Sequence, residues 1–123
     1  MRASGILLPI SSLPGKYGIG SFSKYRFVDF LKNAHQKYWQ ILPVGPTSYG
    51  DSPYQSFSTY AGNPYFISLE ELIEEGLLTE EECDKVDFGN RIDKVNYEKL
   101  YNGRFKLLKK AYKKSNISEK EDF

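Results

Sequence analysis

The sequence predicts an α/β fold that opens with a strand–helix–strand unit and then runs into helices. Three observations carry that prediction. Two short apolar runs, Gly5–Ile10 (GILLPI) and Trp39–Val44 (WQILPV), each contain a proline and lead into loop-forming sequence. Between them, apolar residues recur at three and four positions, the period of one helix face. Beyond Pro64, helix-capping signals repeat ahead of amphipathic stretches.

Gly5–Ile10 reads as a short buried strand, since Pro9 would break a helix. Ser11–Gly20 (SSLPGKYGIG) is loop, with Pro14-Gly15 as a turn signal and Gly18 and Gly20 permitting sharp backbone geometry. Ser21 or Ser23 is expected to cap a helix reaching Asn33 or His35, with Phe27, Phe30, Leu31 and Ala34 as its buried stripe. Trp39–Val44 is the second strand. Two strands joined through a helix should lie parallel and adjacent.

A long loop follows, then an extended Tyr65–Ile67 and a helix opened by Ser68. Ser68 with Glu71, and Thr79 with Glu82, have capping-box spacing. Gly76 ends the first of these helices, and Gly89-Asn90 interrupts the chain again. Asn96 should cap a longer helix, Tyr97–Lys114, striped by Tyr97, Leu100, Tyr101, Phe105, Leu108, Ala111 and Tyr112. Glu70–Asp87 is acidic and Arg104–Lys114 basic, which reads as solvated helix faces with cations near a helix C-terminus.

Composition narrows the function classes. The chain of 123 residues has room for one ordinary domain. Its 17 basic and 16 acidic residues leave a net charge of +1, so nucleic acid is not an expected partner. No apolar run approaches the ~20 residues of a membrane span. The N-terminus lacks the pattern of a signal peptide, and the single cysteine, Cys83, fits a reducing compartment, so a soluble cytoplasmic protein is expected. Aromatics reach 15%, ten of them tyrosine, whose apolar ring and polar tip suit both core edges and sugar-like ligands.

The loop from Gly45 to Pro64 concentrates these residues. It is long, lacks periodicity, and carries Tyr49, Tyr54, Phe57 and Tyr60, so it reads as a binding loop rather than a disordered one. Asp51 within it is either a substrate hydrogen-bond acceptor or a turn-forming residue. Other chemistries fit less well. Gly18-Ile19-Gly20 has Ser23 at the third glycine position of a dinucleotide loop, and the second strand ends in Val44-Gly45 with no ribose-binding acid. Gly50-Asp51-Ser52 could present a serine nucleophile, but the only histidine, His35, lies at a helix end upstream. Cys83 and His35 cannot form a metal site alone, and Trp39 reads as core.

Taken in order, SSLPGKYGIG and YWQILPVGPTSYGDSPYQSFSTYAGNP resemble the N-terminus of the 4-α-glucanotransferases of glycoside hydrolase family 77, the amylomaltases or disproportionating enzymes. The match covers Gly5–Leu78. The resemblance implies the N-terminal part of a (β/α)8 barrel: residues 1–68 would be its first βαβ part with the active-site loop 45–64, and residues 69–123 the start of an inserted helical subdomain. It also implies transfer of an α-1,4-glucan segment to the 4-hydroxyl of another glucan or glucose by a retaining double displacement, with no cofactor or metal.

Carried over by motif position, Tyr54 would line the subsite of the covalently attached sugar and Ser52 would hold the glucan nearby. Tyr49 would lie at a secondary glucan-binding groove, and Asp51 and Gln55 would line the site. The family's catalytic carboxylates lie on later strands, beyond Phe123. A barrel takes about 250 residues, so this chain is expected to be the opening part of an enzyme, inactive alone, whose partners are a maltooligosaccharide and the remainder of its own barrel. A non-catalytic glucan-binding module and a Gly-Asp-Ser hydrolase are the alternatives.

Overall fold

A computed structural model describes residues 1–22, 26–48 and 50–119. The chain divides into two compact units, Met1–Ile67 and Ser68–Phe123. Among the described residues no helix is long and apolar enough to cross a membrane.

In the first unit, β1 (Gly5–Leu7) pairs in parallel with β2 (Tyr38–Gln40), Gly5 opposite Tyr38 and Leu7 opposite Gln40. Backbone bonds from Leu8 N–H to the Gln40 carbonyl (3.0 Å) and from Lys37 N–H to the Ser4 carbonyl (2.9 Å) extend the ladder at both ends. A Cβ on Gly5 would sit 2.7 Å from the Tyr38 carbonyl oxygen, so only glycine allows this close approach. Both strands are shorter than the apolar runs predict. Pro9 takes the chain out of β1, and Ile10–Ser12 turns as a 3-10 helix. Nor are the strands buried: Leu7 and Tyr38 are more than half exposed, because among the described residues of this unit a two-stranded pair has neighbours enough for only part of its surface.

Helix α1 (Arg26–Asn33) links the strands and packs through Phe27, whose ring meets Trp39 edge-on at 4.9 Å. Trp39 is half-buried, and its Nε1–H donates to the Leu8 carbonyl at 2.9 Å, tying β2 to the end of β1. Of the predicted stripe only Leu31 is buried; Phe30 and Ala34 face solvent. Of the two expected caps, Ser23 lies outside the described residues and Ser21 is buried ahead of the helix. The helix ends in a Schellman motif, with Gln36 N–H bonded to the Leu31 carbonyl and His35 N–H to that of Lys32. His35 occupies its left-handed position at φ 55°.

Part of this unit's core, Tyr17 and Ile19, comes from chain that reads as loop, while Ile10 falls in the expected strand run and Tyr65 in the expected extended stretch. Ile10, Tyr17, Ile19 and Tyr65 are all buried, because the segment after β1 folds back on itself, with Gly20 N–H reaching the Ser11 carbonyl at 3.3 Å.

In the second unit each helix start matches a capping signal. Ser68 caps α2 (Leu69–Glu74), its Oγ accepting from Glu71 N–H at 3.2 Å and donating to Glu70, the neighbour of the expected glutamate. Gly76, at φ 76°, ends α2 in a second Schellman motif. Thr79 and Glu82 form the full capping box of α3 (Glu80–Asp84). Asn96 caps α4 (Tyr97–Ser115), accepting from Lys99 N–H.

The buried face of α4 is Leu100, Arg104, Leu107 and Ala111, rotated from the predicted stripe, while Tyr101, Phe105 and Tyr112 are exposed. Leu69, Leu78, Cys83 and Phe88 complete this core. Burial pushes the Cys83 thiol up and the Arg104 guanidinium down to about 10, with Glu70 opposing the latter shift.

The charged faces stay accessible to solvent and carry ion pairs within this unit, Lys110 of the basic block with Glu82, and Lys99, ahead of that block, with Asp87 at 2.5 Å. The Lys110 hydrogen bond, then that from Thr79 N–H, holds Glu82 down to about 2 from an ordinary 4.5. A carboxylate whose folded pKa is depressed stabilises the fold above its unfolded pKa, and that contribution fades as pH falls toward 2. Lys110→Met should therefore flatten the fall in thermal midpoint between pH 4.5 and 2. An acid limb as steep as the parent's would show that the pair contributes nothing.

Candidate functional site

Because β1 and β2 are parallel, the segments that follow them leave the pair at the same, carboxyl-terminal end. There the segment after β1 makes its compact turn, and the long segment after β2 forms two nested closures. The outer one is a bond from Asn63 N–H to the Val44 carbonyl at 2.8 Å. Asn63 also accepts from Tyr65 N–H through Oδ1 at 2.9 Å, starting a 3-10 turn at Pro64–Phe66, where the sequence leads one to expect extended chain over Tyr65–Ile67. Asparagine as cap with proline after it is a helix-start signal, which the extended reading overlooked. Asn63 and Tyr65 are buried, so the return of the loop is anchored.

The inner closure is a bond from Ser48 N–H to the Gln55 carbonyl at 3.1 Å, and it gathers the candidate residues. Asp51 N–H bonds to the Ser48 carbonyl at 3.0 Å, closing a turn in which Gly50 takes φ 90°, a positive value that glycine adopts without strain. Gln55 N–H bonds to the Ser52 carbonyl at 3.1 Å, with Pro53 in the favoured second position of a second turn. Ser52 Oγ lies 3.4 Å from Tyr54 N–H. Asp51, Ser52, Tyr54 and Gln55 thus share one small ring of backbone. Tyr49 lies outside the described residues.

Asp51 has φ 55°, a left-handed conformation that costs a non-glycine residue roughly 1 kcal/mol. The Thr47 hydroxyl donates to Asp51 Oδ1 at 3.2 Å. A hydrogen bond to a charged group is worth about 1.5 kcal/mol, enough to offset that strain. Asp51 is therefore a turn former in this structure, one of the two readings its sequence position allows. Outside the ring, the Ser56 hydroxyl donates to the Ser58 carbonyl at 2.7 Å, and Ser58 Oγ accepts from Ala61 N–H at 3.2 Å.

The aromatic rings are not spent on packing. Tyr54 is 73% exposed, Phe57 75% and Tyr60 99%, whereas Tyr65, just past the loop, is buried. Exposed rings on a hydrogen-bonded loop, with serine hydroxyls and a carboxylate beside them, offer flat apolar faces and polar tips together, as a sugar ligand requires. The hydrolase alternative lacks its base: His35 sits at the end of α1, before β2, while Ser52 follows β2 at the opposite end of the strand. Thr47 and Ser48 do not stand out in the sequence, whereas Asn63-Pro64 is expected there to fix the return of this loop. The Thr47–Asp51 spacing around Gly50 was the available signal, and it acquires meaning only once the turn is known.

The fold and this loop define an α/β protein segment that carries exposed aromatic rings and serine hydroxyls at the carboxyl end of its parallel strands. The family model described as 4-alpha-glucanotransferase matches residues 8–123, and the chain belongs to that family. The 4-alpha-glucanotransferase of Streptococcus pneumoniae is 56% identical over 125 residues, covering 99% of this chain and 25% of the relative. That of Thermus thermophilus is 46% identical over 128 residues, covering 99% and 25%. Among solved structures, the amylomaltase from Streptococcus agalactiae in complex with acarbose superposes with a TM-score of 0.90 at 46% identity, covering 99% of this chain and 25% of that one. The chain thus spans about a quarter of the length of these relatives.

Proposed function

We propose that this chain is the opening segment of a cytoplasmic 4-α-glucanotransferase and supplies substrate-binding residues to it. The single observation that carries this reading is the nested loop 44–63, which holds Ser52, Tyr54 and Gln55 together at the carboxyl end of parallel strands in a chain of this family. In this proposal the first unit opens a (β/α)8 barrel, whose sites lie at that end of the strands, and the second begins an inserted helical subdomain.

The reaction divides between this chain and the rest of the polypeptide. A carboxylate from later strands attacks the anomeric carbon to form a glycosyl-enzyme, and a second protonates the leaving oxygen, then deprotonates the acceptor 4-hydroxyl. The residues present here bind and orient. The Tyr54 ring and hydroxyl line the subsite of the sugar that becomes covalently attached, Ser52 holds the glucan beside it, and Asp51 and Gln55 border the site. Tyr49 belongs to a secondary groove that guides longer glucans.

Maltotriose given to the full polypeptide should yield glucose together with oligosaccharides longer than maltotriose. Sugar release without longer products would make the protein a hydrolase and end the transferase reading. The exposed rings of Tyr54, Phe57 and Tyr60 also suit a module that binds glucan without chemistry. That second reading requires the 123-residue chain to bind maltooligosaccharide unaided, and calorimetry without heat on folded protein would remove it.

A further inference from the structure

We infer that Thr47 is a positioning residue of this site, acting through Asp51 on Ser52 and Tyr54. The inference rests on the transferase reading above and names a part of that site that the motif residues do not. Thr47 stands just outside the inner closure between Ser48 and Gln55, and Asp51 stands at its far bend. The bond from Thr47 Oγ1 to Asp51 Oδ1, at 3.2 Å, therefore spans the ring from its base. Both residues are half-buried.

Asp51 is the one non-glycine residue with positive φ among the described residues of this loop. A return of its backbone to the ordinary region would redirect the chain that follows. Ser52 is the next residue, its carbonyl receives Gln55 N–H, and its Oγ receives Tyr54 N–H. Whatever sets Asp51 thus sets the direction of the serine hydroxyl and the tyrosine ring together. A displacement of about 1 Å at a reacting site lowers rates by up to two orders of magnitude. A side-chain bond that holds the bend belongs to the machinery even though it touches no sugar.

The test compares Thr47→Val, which keeps the shape and removes the hydroxyl, with Thr47→Ser, which keeps the hydroxyl. In the full polypeptide, with maltotriose as substrate, Thr47→Val should lower kcat about tenfold with a smaller change in KM, and Thr47→Ser should restore most of it. Amide exchange of Asp51 and Gln55 should quicken about tenfold in Thr47→Val and remain slow in Thr47→Ser, while the amides of the β1–β2 ladder stay as protected as in the parent.

Faster exchange with unchanged kcat would overturn the positioning role and leave Thr47 as a loop brace only. Unchanged exchange would overturn the lock itself. A parent protein with no transfer activity would overturn the functional reading, a failure distinguished from that of the lock because the exchange comparison still reports on Thr47.

Discussion

Tyr54→Phe in the full polypeptide is expected to lower turnover at least tenfold while leaving the thermal midpoint within about a degree of the parent's. The two halves of that expectation have separate physical grounds. Tyr54 is 73% exposed, so its hydroxyl contributes little to packing, and exposed substitutions change stability by less than about 0.5 kcal/mol. Its backbone N–H is already engaged with Ser52 Oγ, an interaction that phenylalanine retains. On the proposed role of Tyr54, what is lost is one hydrogen-bonding group beside the reacting sugar. A group that strengthens its bond in the transition state by about 1.4 kcal/mol is worth a factor of ten in rate. Kinetics on maltotriose and a thermal melt of the same preparation separate the possibilities. A raised KM at unchanged kcat would mean that the hydroxyl binds ground and transition states equally. An unchanged kcat and KM would return Tyr54 to the ordinary surface.

How far such a site can be read from sequence depends on whether its signals are local. The parallel strand pair, the three capped helices of the second unit and the glycine stop at Gly76 were all legible, since each is encoded within a few residues of chain. The clustering of Ser52, Tyr54 and Gln55 was legible only as proximity in sequence. Strand length was not, because Pro9 and the Ile10–Ser12 turn end β1 before the apolar run ends.

Burial was misjudged for a different reason. On α4 two apolar stripes lie side by side, and periodicity alone does not say which one faces inward. The buried one includes Arg104, whose aliphatic stem packs well but whose charge hides it from any hydropathy count. The Thr47–Asp51 bond was illegible because it needs Asp51 in a left-handed conformation that its residue type permits but does not announce.

Gly20→Ala should be the most damaging single-carbon addition in the first unit, costing about 3 kcal/mol or more. A Cβ at Gly20 would lie 2.0 Å from the Ile10 carbonyl oxygen, 2.7 Å from that of Leu13 and 2.8 Å from the Leu13 Cβ. The first two obstacles are backbone, so no rotamer change relieves them. Glycine is needed here for space, in contrast to Gly76, where φ is 76° and nothing crowds a Cβ. The segment that would have to move carries Ile10, Tyr17 and Ile19 into the core and lies at the same end of the strands as the loop 45–64. Stability and transfer activity should therefore fall together. Gly62→Ala supplies the comparison, since no atom stands within 4 Å of its Cβ and the substitution should be neutral or slightly stabilising. Equilibrium denaturation of both variants decides the matter. If Gly20→Ala proves as mild as Gly62→Ala, the turn after β1 yields easily, and it cannot be the rigid support of the site that the buried Ile10 and Ile19 imply.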